Sequence, residues 1–334
     1  MNAFEYNSNP ARIVFGSGTI LKLPDELSKL GASRPLLLST PQQVSQAERV
    51  SDILEGKIAA VFSEARMHTP TDVTERARDL ATTAKADAVV SIGGGSTIGL
   101  GKAISIRTGL PHIAIPTTYA GNLTVVIYDV DLTLTLPPGL TSTSGVNAIA
   151  HAVEALYART RNPIISLLAV EGTKSLADAL PQLSKDPASK EARSSALYGA
   201  WLCGTCLGSV GMSLHHKLCH TLGGSFDLPH SETHTILLPH ALSYNAFAVP
   251  EVMKQLAEAL PGSDGDAVRG LNNLLSEIKV ERSLKALGMK ESDIDKAADI
   301  AVSKPYWNPR PVERTAIREL IRRAWAGEEA RSDL

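Results

Sequence analysis

The sequence predicts an α/β N-terminal domain built on a parallel sheet, followed by an all-α C-terminal domain. Three observations carry this. Short apolar runs alternate with helical patterns through the first third of the chain. The alternation stops near Pro137-Pro138-Gly139. From Ser144 onward nearly every segment has helical periodicity. Residues 1–140 are assigned to the first domain and 141–334 to the second. A length of 334 residues fits two domains of ordinary size.

In chain order, Arg12–Phe15 reads as a first strand and Gly16-Ser17-Gly18 as a turn. Pro35–Ser39, Ile58–Phe62, Ala88–Ile92 and His112–Ile115 are apolar strands, and Val126–Asp129 is another. Between them lie helical patterns at Gln43–Leu54, Asp72–Ala84 and Thr97–Arg107. Continuous apolar strands separated by helices mark a parallel sheet covered on both faces. Helices follow at Gly145–Ala158, Ile164–Leu180, Lys190–Gly208, Leu214–Leu222 and Thr233–Ala246, with shorter ones to Ala326. Pro163, Pro181, Pro229, Pro250, Pro261 and Pro305 fall at or near segment ends. Pro239 lies inside one and is expected to kink it.

Composition narrows the function. Lys and Arg number 33 against 35 Asp and Glu, and aromatics are 4%. A nucleic-acid surface needs a basic excess and stacking platforms, so that partner is excluded. No run reaches the roughly 18 apolar residues of a membrane span. Met1-Asn2-Ala3-Phe4-Glu5 lacks the pattern of a secretory signal, and three cysteines do not make a disulfide framework. The expectation is a cytoplasmic protein acting on a small molecule.

Two features carry chemistry. After the strand Ala88–Ile92, Gly93-Gly94-Gly95-Ser96-Thr97 opens a helix. Glycines let a phosphate approach the backbone, and a helix start offers free N–H groups and a favourable dipole. Ser96 and Thr97 add hydroxyls. Thr117 and Thr118 end the neighbouring strand and are placed to reach the same ligand. The run is not G-x-G-x-x-G, because Ile98 holds the last glycine position. A tight turn with no ligand fits the same residues.

The second feature is histidine. Six of nine lie between His215 and His240, and His151 is a seventh. Asn147 and His151 are four apart, as are His216 and His220, so each pair shares a helix face. His151, His216, His220 and His230 form the candidate cluster, for a metal or for acid/base work. His215, His234 and His240 read as packing or supporting residues. Cys203-Gly204-Thr205-Cys206 lies within an apolar helix, and with Cys219 reads as small buried residues.

These motifs resemble the iron-containing (group III) alcohol dehydrogenase family. The resemblance rests on Gly93–Ser96, Ile115–Thr118, Asn147-Ala148-Ile149-Ala150-His151-Ala152-Val153-Glu154-Ala155, His216–Gly224 and Leu228-Pro229-His230, in that order. Tyr119-Ala120-Gly121, Leu214–His220, Glu232-Thr233-His234 and Pro305–Pro311 resemble its maleylacetate reductase branch. The resemblance implies a dinucleotide-binding domain plus a helical domain, the dehydroquinate-synthase-like architecture. It implies NADH or NADPH on Gly93, Gly94, Gly95, Ser96, Thr97, Thr117 and Thr118, with Ser39 contributing. No acidic residue follows Ser39 to select between the two cofactors. The family's metal ligands, an Asp and three His, fall on Asn147, His151, His216 and His230, and His220 falls beside the nicotinamide and substrate.

The chain departs from the family twice. Asn147 stands where the family has a carboxylate, which disfavours a divalent metal. Only Asn122 to Val125 stand where the family has a longer segment covering the nicotinamide. The implied activity is reduction of the C=C bond of a dicarboxylate, maleylacetate, without metal, by a homodimer. His220, His151, His216 and His230 stabilise an enolate and deliver a proton. Asn147, Arg310 and Lys217 bind substrate. The alternatives are a metal-dependent alcohol or polyol dehydrogenase, and a non-catalytic metal-binding protein.

Overall fold

The computed structural model describes residues 12–67, 69–119 and 125–333. The chain divides into two compact units between Leu136 and Pro137. The first carries strands Arg12–Gly16 (β1), Pro35–Leu38 (β2), Ala60–Phe62 (β3), Ala88–Gly93 (β4), His112–Pro116 (β5) and Val125–Asp129 (β6). Its helices are Leu23–Lys29 (α1), Val44–Ile53 (α2), Thr71–Thr83 (α3) and Gly95–Thr108 (α4). The strands form one sheet in the order β1-β6-β5-β4-β2-β3, and every pairing is parallel.

Alternation along each strand divides the core between two faces. Leu37, Val90, Ile92, Ile113, Ile115 and Ile127 pack with Leu23, Leu27, Ala47 and Val50 of α1 and α2. Leu36, Leu38 and Val89 pack on the other face with Val73, Ala77, Leu100 and Ile104 of α3 and α4. This is why the strands read as unbroken apolar runs. Phosphate-sized ligands of such sheets sit beyond the carboxyl ends of the strands, and β4 and β5 are central.

The second unit is helical: Pro138–Tyr157 (α5), Pro163–Lys185 (α6), Lys190–Ser209 (α7), Leu214–Phe226 (α8), His230–Asn245 (α9), Pro250–Ala259 (α10), Ala267–Glu277 (α11), Ile294–Val302 (α12) and Arg314–Ala326 (α13). Helix α5 begins at Pro138, seven residues before the expected Gly145. Proline is tolerated in a first turn, so Pro137-Pro138 opens the helix instead of preceding it. Pro163 and Pro250 also start helices, as their spacing indicated. Pro181 does not end α6: it lies inside the helix, which continues to Lys185. Pro239 lies inside α9, as read. Leu214, Leu218 and Leu222 of α8, Ile236 and Leu237 of α9, and Ile317, Leu320 and Ile321 of α13 share one apolar core.

Among the described residues no single helix is long and apolar enough to cross a membrane. Cys203, Cys206 and Cys219 are buried free thiols, and burial raises the pKa of each.

Candidate functional site

The glycine turn sits where β4 meets α4. Gly93 has φ +151°, a conformation side chains rarely adopt, and no side chain caps the helix. Helix α4 opens at Gly95, two residues before the expected start, so Gly95 and Ser96 lie in its first turn, while the Thr97 N–H reaches the Gly94 carbonyl at 3.1 Å. A Cβ on Gly93 would stand 2.5 Å from Thr97 Oγ1 and 2.6 Å from Gln43 Oε1. Thr97 is buried, and its Oγ1 has no hydrogen-bond partner. A polar atom buried this way is unusual and suits a ligand that supplies the missing bond.

Thr117 and Thr118 flank the turn. The Thr117 N–H donates to the Gly93 carbonyl at 2.9 Å. Thr118 Cγ2 is 3.1 Å from the position a Gly94 Cβ would take. Gln43, which the sequence reading passed over, donates from Nε2 to Thr117 Oγ1 at 2.9 Å and accepts from Thr40 Oγ1 at 3.1 Å. It braces the loop after β2 against the end of β5.

Ser39 is a correction. Its side chain is buried, and its hydroxyl donates to Ser63 Oγ at 2.9 Å, so it ties β2 to the end of β3 and is not presented to a ligand. Of the shortened segment, residues 120–124 lie outside the described residues.

In the helical unit, the histidines gather where α5 and α8 pack on α9. Ring centroids are 5.1 Å apart for His151 and His216, and 6.2 Å for His216 and His220. His230 joins them through His234, at 4.2 Å, and His234 is 5.0 Å from His216 and 6.5 Å from His151. His215 is 4.8 Å from His234. His215 and His234, expected as packing or supporting residues, are buried and pack against the candidate rings, and His234 touches most of them. His234 lies four residues after His230 on α9, and the packing of α9 on α5 and α8 brings it to His151 and His216. His240 stays apart, beside Arg282 and Arg323.

Burial lowers the pKa of four of these rings. The pKa of His216 is pushed down to about 3 by desolvation and by His220 and His230, and that of His215 to about 4 by desolvation and His216. Those of His151 and His234 fall well below the ordinary value for the same reason. Asn147 Oδ1, His216 Nε2 and both His234 ring nitrogens are buried without a partner.

Glu154, three residues after His151, is the residue whose role the sequence did not disclose. It is fully buried, accepts from Ser213 N at 2.8 Å and His215 N at 2.7 Å, and its Oε2 is hydrogen-bonded to His216 Nδ1 at 2.8 Å. Burial pushes its carboxyl up, and the hydrogen bonds oppose that shift. A glutamate inside an apolar helix face was the available signal, because such a carboxylate needs buried donors.

The two basic candidates are engaged elsewhere. The Arg310 guanidinium lies 4.2 Å from the Tyr244 ring centroid, and its Nη1 donates to the Tyr244 carbonyl at 3.0 Å. It braces α9 against the strap before α13. The Lys217 ammonium sits 5.9 Å from the Tyr306 ring centroid.

The residues at the family's metal positions include no anionic ligand. Asn147, His151, His216 and His230 offer only neutral donors, and Glu154 is spent on hydrogen bonds. A tetrahedral site with ligand bonds near 2 Å brings donors within about 4 Å of one another. The described groups of three donors lying within 4.8 Å of one another are His215–Cys219–His234 and Glu154–His215–His216. His151, His216 and His230 form no such group.

Comparison with known proteins follows the same lines. Residues 10–129 match the model of iron-containing alcohol dehydrogenases, and residues 141–325 match that of the C-terminal part of the Fe-containing alcohol dehydrogenase family. The chain is 51% identical to maleylacetate reductase of Rhizobium sp. (strain MTP-10005), over 98% of this chain and 99% of that protein. It is 49% identical to maleylacetate reductase of Burkholderia cepacia, with the same two coverages. The crystal structure of maleylacetate reductase from Agrobacterium tumefaciens superposes with TM-score 0.93 at 50% identity, covering 98% of this chain and 100% of that one. An iron-containing alcohol dehydrogenase from Corynebacterium glutamicum superposes with TM-score 0.91 at 36% identity, covering 100% and 98%.

Proposed function

The chain belongs to the iron-containing alcohol dehydrogenase family and is an oxidoreductase that uses NAD(P)H, and from that premise we propose that it reduces maleylacetate to 3-oxoadipate. The observation that carries this reading is the histidine cluster beside Asn147, an amide where a carboxylate would repel an anionic substrate.

The chemistry sets the demands on the site. The substrate has a C=C bond conjugated to a ketone and a carboxylate at each end. Hydride from the nicotinamide adds at the carbon β to the ketone. Negative charge develops on the ketone oxygen as an enolate, and a proton must then reach the adjacent carbon. We assign His151, His220 and His230 to donate to that oxygen and to supply the proton. His216 is excluded as a donor while neutral, because its Nδ1–H is given to Glu154 and its Nε2 holds only a lone pair. An Asn at position 147 adds an amide donor for the substrate, where an Asp would repel its carboxylates.

The glycine turn with Thr97, Thr117 and Thr118 is assigned to the cofactor pyrophosphate. We propose that both NADH and NADPH are accepted, because Ser39 and Thr40 follow β2 where an acidic residue would select NADH. The reading includes a cytoplasmic homodimer, supported by the family resemblance alone.

The test follows NADH absorbance with maleylacetate, with and without a chelator. The reading expects oxidation of NADH that a chelator does not slow. Alcohol oxidation that needs added iron or zinc, with no turnover of maleylacetate, would overturn it in favour of the metal-dependent dehydrogenase.

A further inference from the structure

We propose that Glu154 is a positioning residue for the reduction: it fixes His216 in its Nδ1–H form and leaves Nε2 as a hydrogen-bond acceptor within the histidine cluster. The inference rests on the reductase reading, and its geometry stands independently of it.

Ser213 precedes α8, and its own side chain does not cap it. The Ser213 hydroxyl is turned instead to the Trp307 carbonyl at 3.0 Å and to Asn308 Oδ1 at 2.8 Å. The capping comes from α5. Glu154 Oε2 accepts the Ser213 N–H and Oε1 accepts the His215 N–H. A carboxylate at a helix N-terminus is also favoured by the helix dipole. These two bonds account for folding, and a third is left over.

The third bond runs from His216 Nδ1 to Oε2 at 2.8 Å. Both oxygens already accept backbone N–H groups, so the ring nitrogen facing them is the one that carries the proton. The partner of one imidazole nitrogen dictates the state of the other. Nε2 is therefore the unprotonated nitrogen, and it is buried without a protein partner. Its surroundings are the rings of His151, His220 and His234. A lone pair fixed there is an acceptor for a proton-bearing group that enters the cluster, and it cannot itself donate to the substrate. Glu154 itself is fully buried and does not touch the substrate. It acts through His216.

The carboxylate matters for more than its size. Three donors converge on two oxygens. A glutamine offers one oxygen, and its NH2 group then faces at least one of the three donors.

Two measurements test this. The first needs no variant. In protein labelled with 15N-histidine, long-range proton–nitrogen correlation reports which His216 nitrogen carries hydrogen, with the His216→Asn spectrum identifying the ring. The expected result is a protonated Nδ1 and an unprotonated Nε2. The second is the kinetics of Glu154→Gln. The expected result is a kcat reduced about tenfold to a hundredfold with the KM for NADH unchanged. A His216 ring protonated at Nε2 overturns the proposal, and so does a folded Glu154→Gln enzyme whose kcat stays within about twofold of the unmodified protein. Failure of the unmodified protein to turn over maleylacetate overturns the reductase reading instead, and leaves the tautomer result standing.

Discussion

Alanine at Gly95 separates the cofactor role of the glycine turn from its folding role. Gly95 is the first residue of α4, and a Cβ there meets no atom within 4 Å. The fold accepts alanine, and the loss of chain flexibility stabilises it by up to about 1 kcal/mol. A pyrophosphate lying against the first-turn amides meets the new methyl group directly. Losing one hydrogen bond to a charged oxygen costs about 1.5–3 kcal/mol. At about 1.4 kcal/mol per factor of ten, the KM for NADH should rise roughly tenfold to a hundredfold.

Gly93→Ala is the counterpart. Its Cβ would stand 2.5 Å from Thr97 Oγ1 and 2.6 Å from Gln43 Oε1, at φ +151°. Backbone strain of about 1–3 kcal/mol adds to a similar cost for the overlap, and Tm should fall by on the order of 10 °C. NADH titration by fluorescence and thermal unfolding read the two effects apart. A Gly95→Ala protein that binds NADH as the unmodified protein does would remove the pyrophosphate from this turn and refute the reasoning.

Three further outcomes are expected. Asn147→Asp should raise the affinity for iron or zinc, read by metal analysis, and lower reductase activity; higher activity with maleylacetate would contradict the electrostatic account. Arg310→Ala should lower stability by about 1–2 kcal/mol through loss of its ring contact and hydrogen bond, with the KM for maleylacetate unchanged; a large rise in that KM would return Arg310 to substrate binding. Acid should destabilise the fold below the ordinary histidine pKa of 6.5, because His112, His215, His216 and His240 are held at about 3 to 4. Above that pH both folded and unfolded chains are neutral at these rings. Below it the unfolded chain takes up protons that the folded one refuses, at up to about 1.4 kcal/mol per pH unit for each proton. Stability is then lost progressively down to the folded values, and a Tm that stays flat from pH 7 to about pH 5 would contradict this.

Helix and strand periods are local properties, and they were legible. The unbroken apolar runs announced strands buried on both faces, and β4, β5 and β6 lie in the sheet between helices on either side. Glycines between a strand and a helix announced the turn. The pairs Asn147–His151 and His216–His220 announced shared helix faces. Reading proline as punctuation worked where it opens α6 and α10. It failed at Pro181, because a helix packed on both sides tolerates one missing hydrogen bond.

Tertiary packing decided what local spacing does not encode, namely which face meets which. His234 pairs with His230 by its spacing on α9, but only the packing of α9 on α5 and α8 brings it to His151 and His216. Glu154 became the acceptor for the head of α8 across 59 to 62 residues of chain. Ser39 closed on Ser63, and Arg310 settled on Tyr244, because a polar side chain takes the partner that folding brings within reach. The sequence by itself determined the parallel sheet, the glycine turn and a set of histidines on helix faces. Only the tertiary structure decided that burial lowers the pKa of His151, His215, His216 and His234, and that His216 lies against a buried carboxylate, because protonation depends on burial and on partners distant in the chain.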